Sequence, residues 1–267
     1  MVNVIVAGAA GRMGGRIIHM IDQTEGVELT AAFERPESPA VGQDAGVVAG
    51  LKPLSVPVAD SLTAVIDKGD VIIDFTFHEA TMAHARLAAQ HKKPMVIGTT
   101  GLTKENLEEL KALTANFPCV QAPNMSVGVN LLYKLVTTAA QVLGDDYDIE
   151  IIEAHHRMKK DAPSGTALQL ARVIAEAVGR DLDEVGVYAR HGMIGERTRK
   201  EIGIQTIRAG DIVGEHTVLF GTTGERIEIT HKASSRDTFA KGAVRAAKWV
   251  VSQAPGLYNM QDVLGLK

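Results

Sequence analysis

The sequence predicts an α/β protein in which a parallel sheet with helices on both faces is followed by a second, α+β domain with a mixed sheet. Three observations predict this fold class. A short apolar run near the N-terminus ends in a glycine-rich turn, and strands then alternate with helices through the first half of the chain. The stretch 203–231 contains strand patterns with no helix between them.

The first strand leads into a turn with three regularly spaced glycines. After the apolar run Val4–Ala7 come Gly8, Gly11 and Gly14, and a helical pattern continues beyond them. Gly8 permits a tight turn, Gly11 lets the backbone approach phosphate groups, and Gly14 lets the helix pack closely on the strand. The pattern is typical of the pyrophosphate site of a Rossmann-like dinucleotide-binding domain, although the same spacing also occurs in unrelated turns.

A second strand, Val27–Phe33, completes the first βαβ unit and ends at a charged pair. Glu34 lies where an acidic side chain would bind the adenosine ribose diol, which favours NAD. Arg35 and Arg12 suit the 2′-phosphate of NADP instead. We therefore expect both NADH and NADPH as cofactors, and the alternative is a solvated Glu–Arg pair at a strand end.

Three further strands are predicted in the first half, each ending in small or polar residues. They cover 71–75, 94–97 and 119–122, and helices at about 79–90 and 103–115 separate them. Ligands of open parallel sheets bind outside the carboxyl ends of the strands. The segment Gly98–Gly101 is therefore a candidate to pass close to a nicotinamide, whereas its repeat at Gly221–Gly224 is interpreted as a hairpin turn.

The second half has a different character. The predicted elements are a helix at 130–142, a strand at 149–153, a helix at 164–177, strands at 203–209, 212–220 and 226–231, and a last helix at 239–252. A turn at Gly210-Asp211 predicts that the first two of those three later strands form a hairpin. We expect a dinucleotide-binding domain of residues 1–126 and 236–267 and a substrate-binding and oligomerisation domain of residues 127–235.

Composition narrows the function classes. The chain has 267 residues, 45% apolar content and a net charge of −4, so it can bury a core but has no global basic field for nucleic acid. No apolar run approaches the roughly 18 residues of a spanning helix, and the apolar N-terminus is interpreted as a strand rather than a signal peptide. The single cysteine, Cys119, suits a reducing compartment. We expect a cytoplasmic protein with no nucleic-acid and no membrane partner.

The densest polar cluster runs from Glu153 to Thr166, between a predicted strand and a predicted helix. Ser164 can cap that helix and leave the N–H groups of Gly165 and Thr166 for an anion. The adjacent histidines and lysines fit a small substrate bearing carboxylates and supply proton donors. A solvated basic loop is the alternative. No third ligand at a usual spacing accompanies His155-His156, so we expect no metal. His84 and His216, like the other remaining histidines, have no motif support and are interpreted as structural or surface residues.

The cluster matches the motif Glu-x-His-His-x-x-Lys-x-Asp-x-Pro-Ser-Gly-Thr-Ala in full, from Glu153 to Ala167. On this motif the sequence resembles the 4-hydroxy-tetrahydrodipicolinate (dihydrodipicolinate) reductase family of the diaminopimelate route to lysine. The glycine turn, Asp74–Thr76, Gly98–Gly101 and Ala122–Asn130 match the family in the same order. Met125 and Met158 depart from it, because some members have an aromatic residue and a histidine there.

The resemblance implies a cytoplasmic reductase that uses NADH or NADPH, forms a homotetramer and reduces 4-hydroxy-tetrahydrodipicolinate, a dicarboxylate, with loss of water. His155 is then the proton donor and acceptor, and Lys159 a proton donor. The implied cofactor residues are Gly8, Ala9, Ala10, Gly11, Arg12, Met13, Glu34, Arg35, Phe75, Gly98, Thr99, Thr100, Ala122, Pro123, Asn124 and Met125. The implied substrate residues are His156, Lys159, Ser164, Gly165 and Thr166.

Two other functions fit parts of the sequence. A semialdehyde-type dehydrogenase would need a cysteine nucleophile, but Cys119 lies in an apolar strand where a packing role is expected. A nucleotide-sensing protein without turnover would explain the glycine turn and Glu34. It gives no reason for the cluster from Glu153 to Thr166.

Overall fold

The computed structural model describes residues 1–266. Its strands are β1 (Val2–Ala7), β2 (Val27–Phe33), β3 (Val58–Ala59), β4 (Val71–Asp74), β5 (Met95–Ile97), β6 (Pro118–Gln121), β7 (Asp148–His155), β8 (Gly186–Val187), β9 (Ile202–Arg208), β10 (Gly214–Thr222), β11 (Glu225–Ala233) and β12 (Gly256–Tyr258). Its α-helices are α1 (Arg12–Asp22), α2 (Ala45–Val48), α3 (His78–His91), α4 (Lys104–Leu113), α5 (Val127–Leu143), α6 (Gly165–Ala177), α7 (Leu182–Val185), α8 (Asp237–Val250) and α9 (Met260–Leu264).

The chain folds into two compact units. The first unit consists of residues 1–127 together with the C-terminal segment from residue 236, and the second unit consists of residues 128–235. In the first unit, a seven-stranded parallel sheet has the strand order β12-β6-β5-β4-β1-β2-β3. The chain order reverses between β1 and β4, and in such sheets the crevice at this point is the usual ligand site.

The sheet of the first unit is buried on both faces, as a parallel sheet requires. One core includes Ile17 and Ile18 of α1 and Val244 of α8, and the other includes Met82 of α3 and Leu110 of α4. The helix α8 packs against α1, where the Arg16 guanidinium binds both carboxylate oxygens of Asp237 at 2.5 and 2.6 Å. The short strand β12, which the sequence pattern did not predict, extends the sheet beside β6.

The second unit contains a five-stranded mixed sheet with the order β11-β10-β7-β9-β8. The predicted hairpin between β9 and β10 is wrong, because β7 lies between them, parallel to β9 and antiparallel to β10. The strand β7 takes this central place because Ile149 and Ile151 pack into a core with α5 and α6. The hairpin turn predicted at Gly221–Gly224 does connect β10 to β11. The predicted fold class, a parallel-sheet domain followed by an α+β domain with a mixed sheet, is confirmed.

Candidate active site

The glycine turn of the first unit has the geometry of a phosphate cradle. Gly8 adopts a φ of +67°, and a Cβ on Gly14 would lie 2.0 Å from the carbonyl oxygen of Gly8. Only glycine therefore allows α1 to approach the turn so closely. Gly11 is the N-cap of α1 and no side chain caps this helix, so the first-turn N–H groups remain available to an anion. Arg12 and Met13 begin the helix at this point.

Glu34 folds back onto this turn. Its carboxylate accepts hydrogen bonds from the backbone N–H of Ala10 at 3.0 Å and from that of Arg35 at 3.2 Å. The glycine turn and Glu34 open into a cleft of about 960 Å³. Of the predicted cofactor residues, this cleft brings together Gly8, Gly11, Arg12, Met13, Glu34, Arg35 and Phe75.

The cleft also contains residues that sequence reasoning missed. They are Phe33, Pro36, Asp60, Ser61, Leu62, Thr63, Thr76, Phe77, Ala80, Ala83, His84 and Leu87. Four of them recur at helical spacing on α3, so one face of this helix forms a wall of the cleft. The spacing of Ala80, Ala83, His84 and Leu87 was the signal available in the sequence, but small residues on a helix face usually indicate packing.

A buried carboxylate supports the loop that follows β5. Asp74, at the end of β4, is fully buried, and its Oδ1 accepts hydrogen bonds from the hydroxyls of Thr76, Thr81 and Thr99 at 2.7, 2.9 and 3.1 Å. Its Oδ2 lies 2.6 Å from Nδ1 of His84. Burial would raise the pKa of Asp74, but the His84 contact and the Thr76 hydrogen bonds outweigh it and lower that pKa.

The remaining predicted nicotinamide residues lie at the ends of β5 and β6. Gly98 makes room for Phe75, because a Cβ there would be 2.1 Å from the Phe75 ring. The Ala122 N–H donates to the Ile97 carbonyl at 3.1 Å, and the Asn124 side chain accepts from the Ser126 N–H at 2.9 Å. Met125 differs from its neighbours, because its side chain is buried in the core. Thr100 is exposed and Pro123 precedes Asn124 in the same loop.

In the second unit, the predicted catalytic loop connects the end of β7 to the start of α6. Ser164 caps α6, and its Oγ accepts from the Ala167 N–H at 3.2 Å. Gly165 and Thr166 form the first turn of that helix. The ammonium of Lys159 lies 3.0 Å from a carboxylate oxygen of Asp161.

Glu153 lies beneath this loop and is fully buried. Its carboxylate is 2.6 Å from Nδ1 of His155 and accepts from the Ser164 N–H at 2.9 Å. Arg208 on β9 binds both of its oxygens at 2.8 Å. Burial raises the pKa of Glu153, but the His155 and Arg208 contacts outweigh burial and hold it at about 2, so the carboxylate is ionised. Sequence reasoning missed Arg208, because only the pairing of β7 with β9 brings it here.

His216 on β10 completes the cluster, although its sequence offered no motif. Its Nε2 lies 3.0 Å from Oγ of Ser164, and its ring meets the ring of His155 edge-on with centroids 5.2 Å apart. Burial lowers the pKa of His216 to about 3, with a smaller contribution from His155, so this ring is neutral. The second unit thus brings His155, His216 and Glu153 together with Ser164, the N-cap of α6.

Other features limit the chemistry. Within residues 1–266, no three His, Cys, Asp or Glu side chains form a group that could hold a metal ion. No helix in that range is long and apolar enough to cross a bilayer. Cys119 is fully buried, and burial, followed by the nearby Asp74 charge, raises the pKa of its thiol. This thiol is therefore no nucleophile for a dehydrogenase.

Family models match almost the whole chain. The model for the N-terminus of dihydrodipicolinate reductase matches residues 2–125, and the model for its C-terminus matches residues 128–264. The chain belongs to this family. It is therefore an oxidoreductase that depends on a pyridine nucleotide, as the sequence predicted.

Curated relatives and a solved structure agree with the family assignment. The chain is 61% identical to 4-hydroxy-tetrahydrodipicolinate reductase of Desulfotalea psychrophila over 267 residues, which cover 100% of this chain and 99% of the relative. It is 57% identical to the same enzyme of Syntrophus aciditrophicus, with 100% of both chains covered. The dipicolinate-bound dihydrodipicolinate reductase of Paenisporosarcina sp. TG-14 superposes with a TM-score of 0.78 at 28% identity, covering 98% of each chain.

Proposed function

We propose that this chain reduces 4-hydroxy-tetrahydrodipicolinate to tetrahydrodipicolinate, with release of water, in the diaminopimelate route to lysine. The observation that carries the proposal is the loop between β7 and α6. This loop carries His155 and Lys159 and leads into the helix start at Ser164, and the Glu153 carboxylate contacts both His155 and the Ser164 N–H. Proton donors next to a helix start support a dicarboxylate substrate that needs a proton. The full-length identity to curated 4-hydroxy-tetrahydrodipicolinate reductases supports this substrate.

The substrate carboxylates bind to the second unit. The first-turn N–H groups of α6 at Gly165 and Thr166 carry the positive end of the helix dipole. His156 and Lys159 add hydrogen-bond donors in the same loop. Dipicolinate, the ligand of the Paenisporosarcina enzyme, is itself a flat dicarboxylate, which supports this assignment.

The first unit holds the nucleotide. The uncapped start of α1 receives the pyrophosphate, the Glu34 carboxylate receives the ribose, and the loops after β4, β5 and β6 receive the nicotinamide. When bound, the nucleotide supplies a hydride to substrate C4, the carbon that loses the hydroxyl group. These assignments cover Gly8–Met13, Glu34, Arg35, Phe75, Gly98–Thr100 and Ala122–Met125.

His155 and Lys159 manage the protons of the reaction. The hydroxyl group leaves as water, and electron density from the added hydride moves along the conjugated C=C–C=N system. The substrate atom that receives this density takes one proton, which His155 or Lys159 donates. One substrate, one reduced nucleotide and one proton thereby yield one product, one oxidised nucleotide and one water.

Both NADH and NADPH serve as hydride donors in this proposal. The Glu34 carboxylate, fixed by the Ala10 and Arg35 N–H groups, favours the ribose diol of NADH. Arg12 and Arg35 line the same cleft and provide charge for the 2′-phosphate of NADPH. The enzyme works in the cytoplasm, where reduced nucleotides and a free thiol are both maintained.

In this proposal, residues 1–126 and 236–267 form the dinucleotide-binding domain. Residues 127–235 form the substrate-binding and oligomerisation domain. We place the homotetramer contacts on the second unit. Ile152 and Ile207 are exposed on adjacent strands of its sheet, which supports an apolar contact there. Light scattering coupled to size exclusion tests this, and a monomer at micromolar concentration contradicts it.

Absorbance at the reduced-nicotinamide band tests the activity directly. Freshly generated 4-hydroxy-tetrahydrodipicolinate is mixed with the purified chain and either NADH or NADPH. We expect substrate-dependent consumption of both nucleotides. No consumption with either nucleotide contradicts the proposed function, and consumption of only one contradicts dual use.

A further inference from the structure

The Glu153 carboxylate is surrounded by hydrogen-bond donors. Its Oε2 faces Nδ1 of His155 at 2.6 Å and an Arg208 nitrogen at 2.8 Å. Its Oε1 faces the Ser164 N–H at 2.9 Å, the other Arg208 nitrogen at 2.8 Å and the Thr206 hydroxyl at 3.3 Å. A carboxylate offers about four lone-pair positions, so this group is fully used.

These contacts decide which nitrogen of His155 carries a proton. An ionised carboxylate only accepts hydrogen bonds, so Nδ1 must be the donor in the 2.6 Å contact. The neutral ring therefore has its proton on Nδ1 and a lone pair on Nε2. Within residues 1–266, Nε2 has no hydrogen-bond partner, and it faces Gly214, where a Cβ would lie only 3.1 Å away.

We infer that Glu153, clamped by Arg208, is a positioning residue that fixes the tautomer of His155 and leaves Nε2 as the atom that exchanges a proton with the substrate. This inference rests on the proposed function. Neither Glu153 nor Arg208 was a candidate site residue in the sequence. Both act through His155, since the carboxylate itself is fully buried.

The Glu153 carboxylate also connects His155, the proposed proton donor, to the start of α6, the proposed site of the substrate carboxylates. Its bond to the Ser164 N–H fixes the start of α6, the turn that receives the substrate carboxylates. One rigid group therefore sets the spacing between His155 and that turn. Preorganisation of this kind matters because a misplacement of about 1 Å can reduce turnover about 10²-fold.

A purely structural ion pair is the competing explanation, and β7 offers a matched control for it. Glu150 lies on the same strand and binds Arg190 at 2.8 and 2.9 Å and Arg197 at 3.0 Å. It contacts no histidine among the described hydrogen bonds. Loss of the Glu150 charge thus disturbs a comparable carboxylate–arginine cluster without touching the tautomer of His155.

The kinetic test compares Glu153→Gln with Glu150→Gln. The amide of Glu153→Gln puts a donor where the carboxylate accepted from His155 or Arg208, which releases the tautomer. We expect kcat to fall by roughly 10²–10⁴-fold, since neutralising the acid that orients a catalytic histidine releases the tautomer, with the nucleotide KM unchanged. Glu150→Gln should retain kcat within about twofold. Equal losses in both variants, or full turnover in Glu153→Gln, would overturn the inference.

The spectroscopic test needs no substrate and reads the tautomer in the wild-type chain. Nitrogen-15 NMR of the histidine-labelled wild-type chain distinguishes a protonated ring nitrogen from a bare one, and His155→Asn identifies the His155 signals. In the neutral form of the ring, we expect the proton on Nδ1. A neutral ring protonated on Nε2 contradicts the inference. Failure of the proposed function is separate, since it shows as absent turnover in the wild-type chain.

Discussion

Each unit contains a fully buried carboxylate that contacts a histidine ring, but the other hydrogen-bond donors around the two carboxylates differ. Asp74 in the first unit and Glu153 in the second each lie 2.6 Å from a histidine Nδ1. Asp74 is otherwise surrounded by threonine hydroxyls and one N–H, whereas Glu153 has the guanidinium of Arg208 on both oxygens.

The difference follows from what each carboxylate supports. In the proposed function, Asp74 supports a loop and a cleft wall that bind a nucleotide, and neutral hydroxyl donors suffice for a support whose charge does not change. Under the inference above, Glu153 orients a ring that gains and loses a proton, so the charge of Glu153 must stay constant while the ring charge changes. An arginine, which remains protonated throughout, provides that constancy. We therefore propose that similar geometry serves nucleotide binding in the first unit and proton transfer in the second.

The largest expected effect is a loss of kcat, and it distinguishes His155 in the second unit from His84 in the first. His155→Ala should reduce kcat by roughly 10²–10⁴-fold, because a positioned general acid contributes that much, with the nucleotide KM unchanged. Lys159→Ala should behave in the same way. His84→Ala should raise the nucleotide KM and leave kcat near the wild-type value. Steady-state kinetics with both substrates varied measures this, and a kcat loss confined to His84→Ala would reverse the assignment.

The next effect concerns stability. Arg208→Ala leaves the Glu153 charge buried without its main partner, which should lower the free energy of unfolding by about 3–5 kcal/mol. Thr81→Val removes one neutral donor from Asp74 and should cost about 1–2 kcal/mol. Urea unfolding followed by circular dichroism compares them. A larger loss of stability in Thr81→Val than in Arg208→Ala would contradict this, because the hydroxyl donors of Asp74 would then contribute more to stability than the arginine of Glu153.

A smaller effect concerns pH. Burial keeps the pKa of His216 at about 3, below its ordinary value of 6.5, so between these values the unfolded chain binds a proton that the folded chain excludes. Stability should therefore fall as pH drops below about 6.5, by roughly 2 kcal/mol between pH 7 and pH 5. His216→Gln should lose this part of the pH dependence. The same slope in variant and wild type would assign the dependence to other groups.

The smallest expected effect is on the preference between NADH and NADPH. Glu34→Ala removes the carboxylate that favours the ribose diol and repels a 2′-phosphate. The ratio of kcat/KM for NADPH over NADH should rise roughly tenfold, equivalent to the loss of one charge-assisted hydrogen bond. Glu37→Ala, an exposed acid outside the cleft, is the control and should leave the ratio unchanged. An unchanged ratio in Glu34→Ala contradicts the proposed ribose contact.

The sequence predicted what local patterns encode. The spacing of Gly8, Gly11 and Gly14 predicted the glycine turn. The density of polar groups from Glu153 to Thr166 predicted the candidate catalytic loop. It did not predict Arg208, His84 or His216 as site residues. Each reaches its site through strand pairing or helix packing between segments far apart in the chain, which no local pattern specifies.

The same reason explains the wrong hairpin. The Gly210-Asp211 turn has the composition of a tight connection, and two strands flank it. Yet β7 separates them, because its Ile149 and Ile151 pack into the core with α5 and α6, and this burial outweighs a local turn preference. Strand order is a property of the whole core.

Isotope transfer tests the central claim most directly, namely that this chain moves one hydride from the nucleotide to the substrate. The chain is supplied with NADH carrying deuterium on the transferable position of its nicotinamide C4, and the product is analysed by mass spectrometry and NMR. We predict one deuterium at C4 of tetrahydrodipicolinate. Nucleotide oxidation with an unlabelled product, or with label at another carbon, would contradict the account.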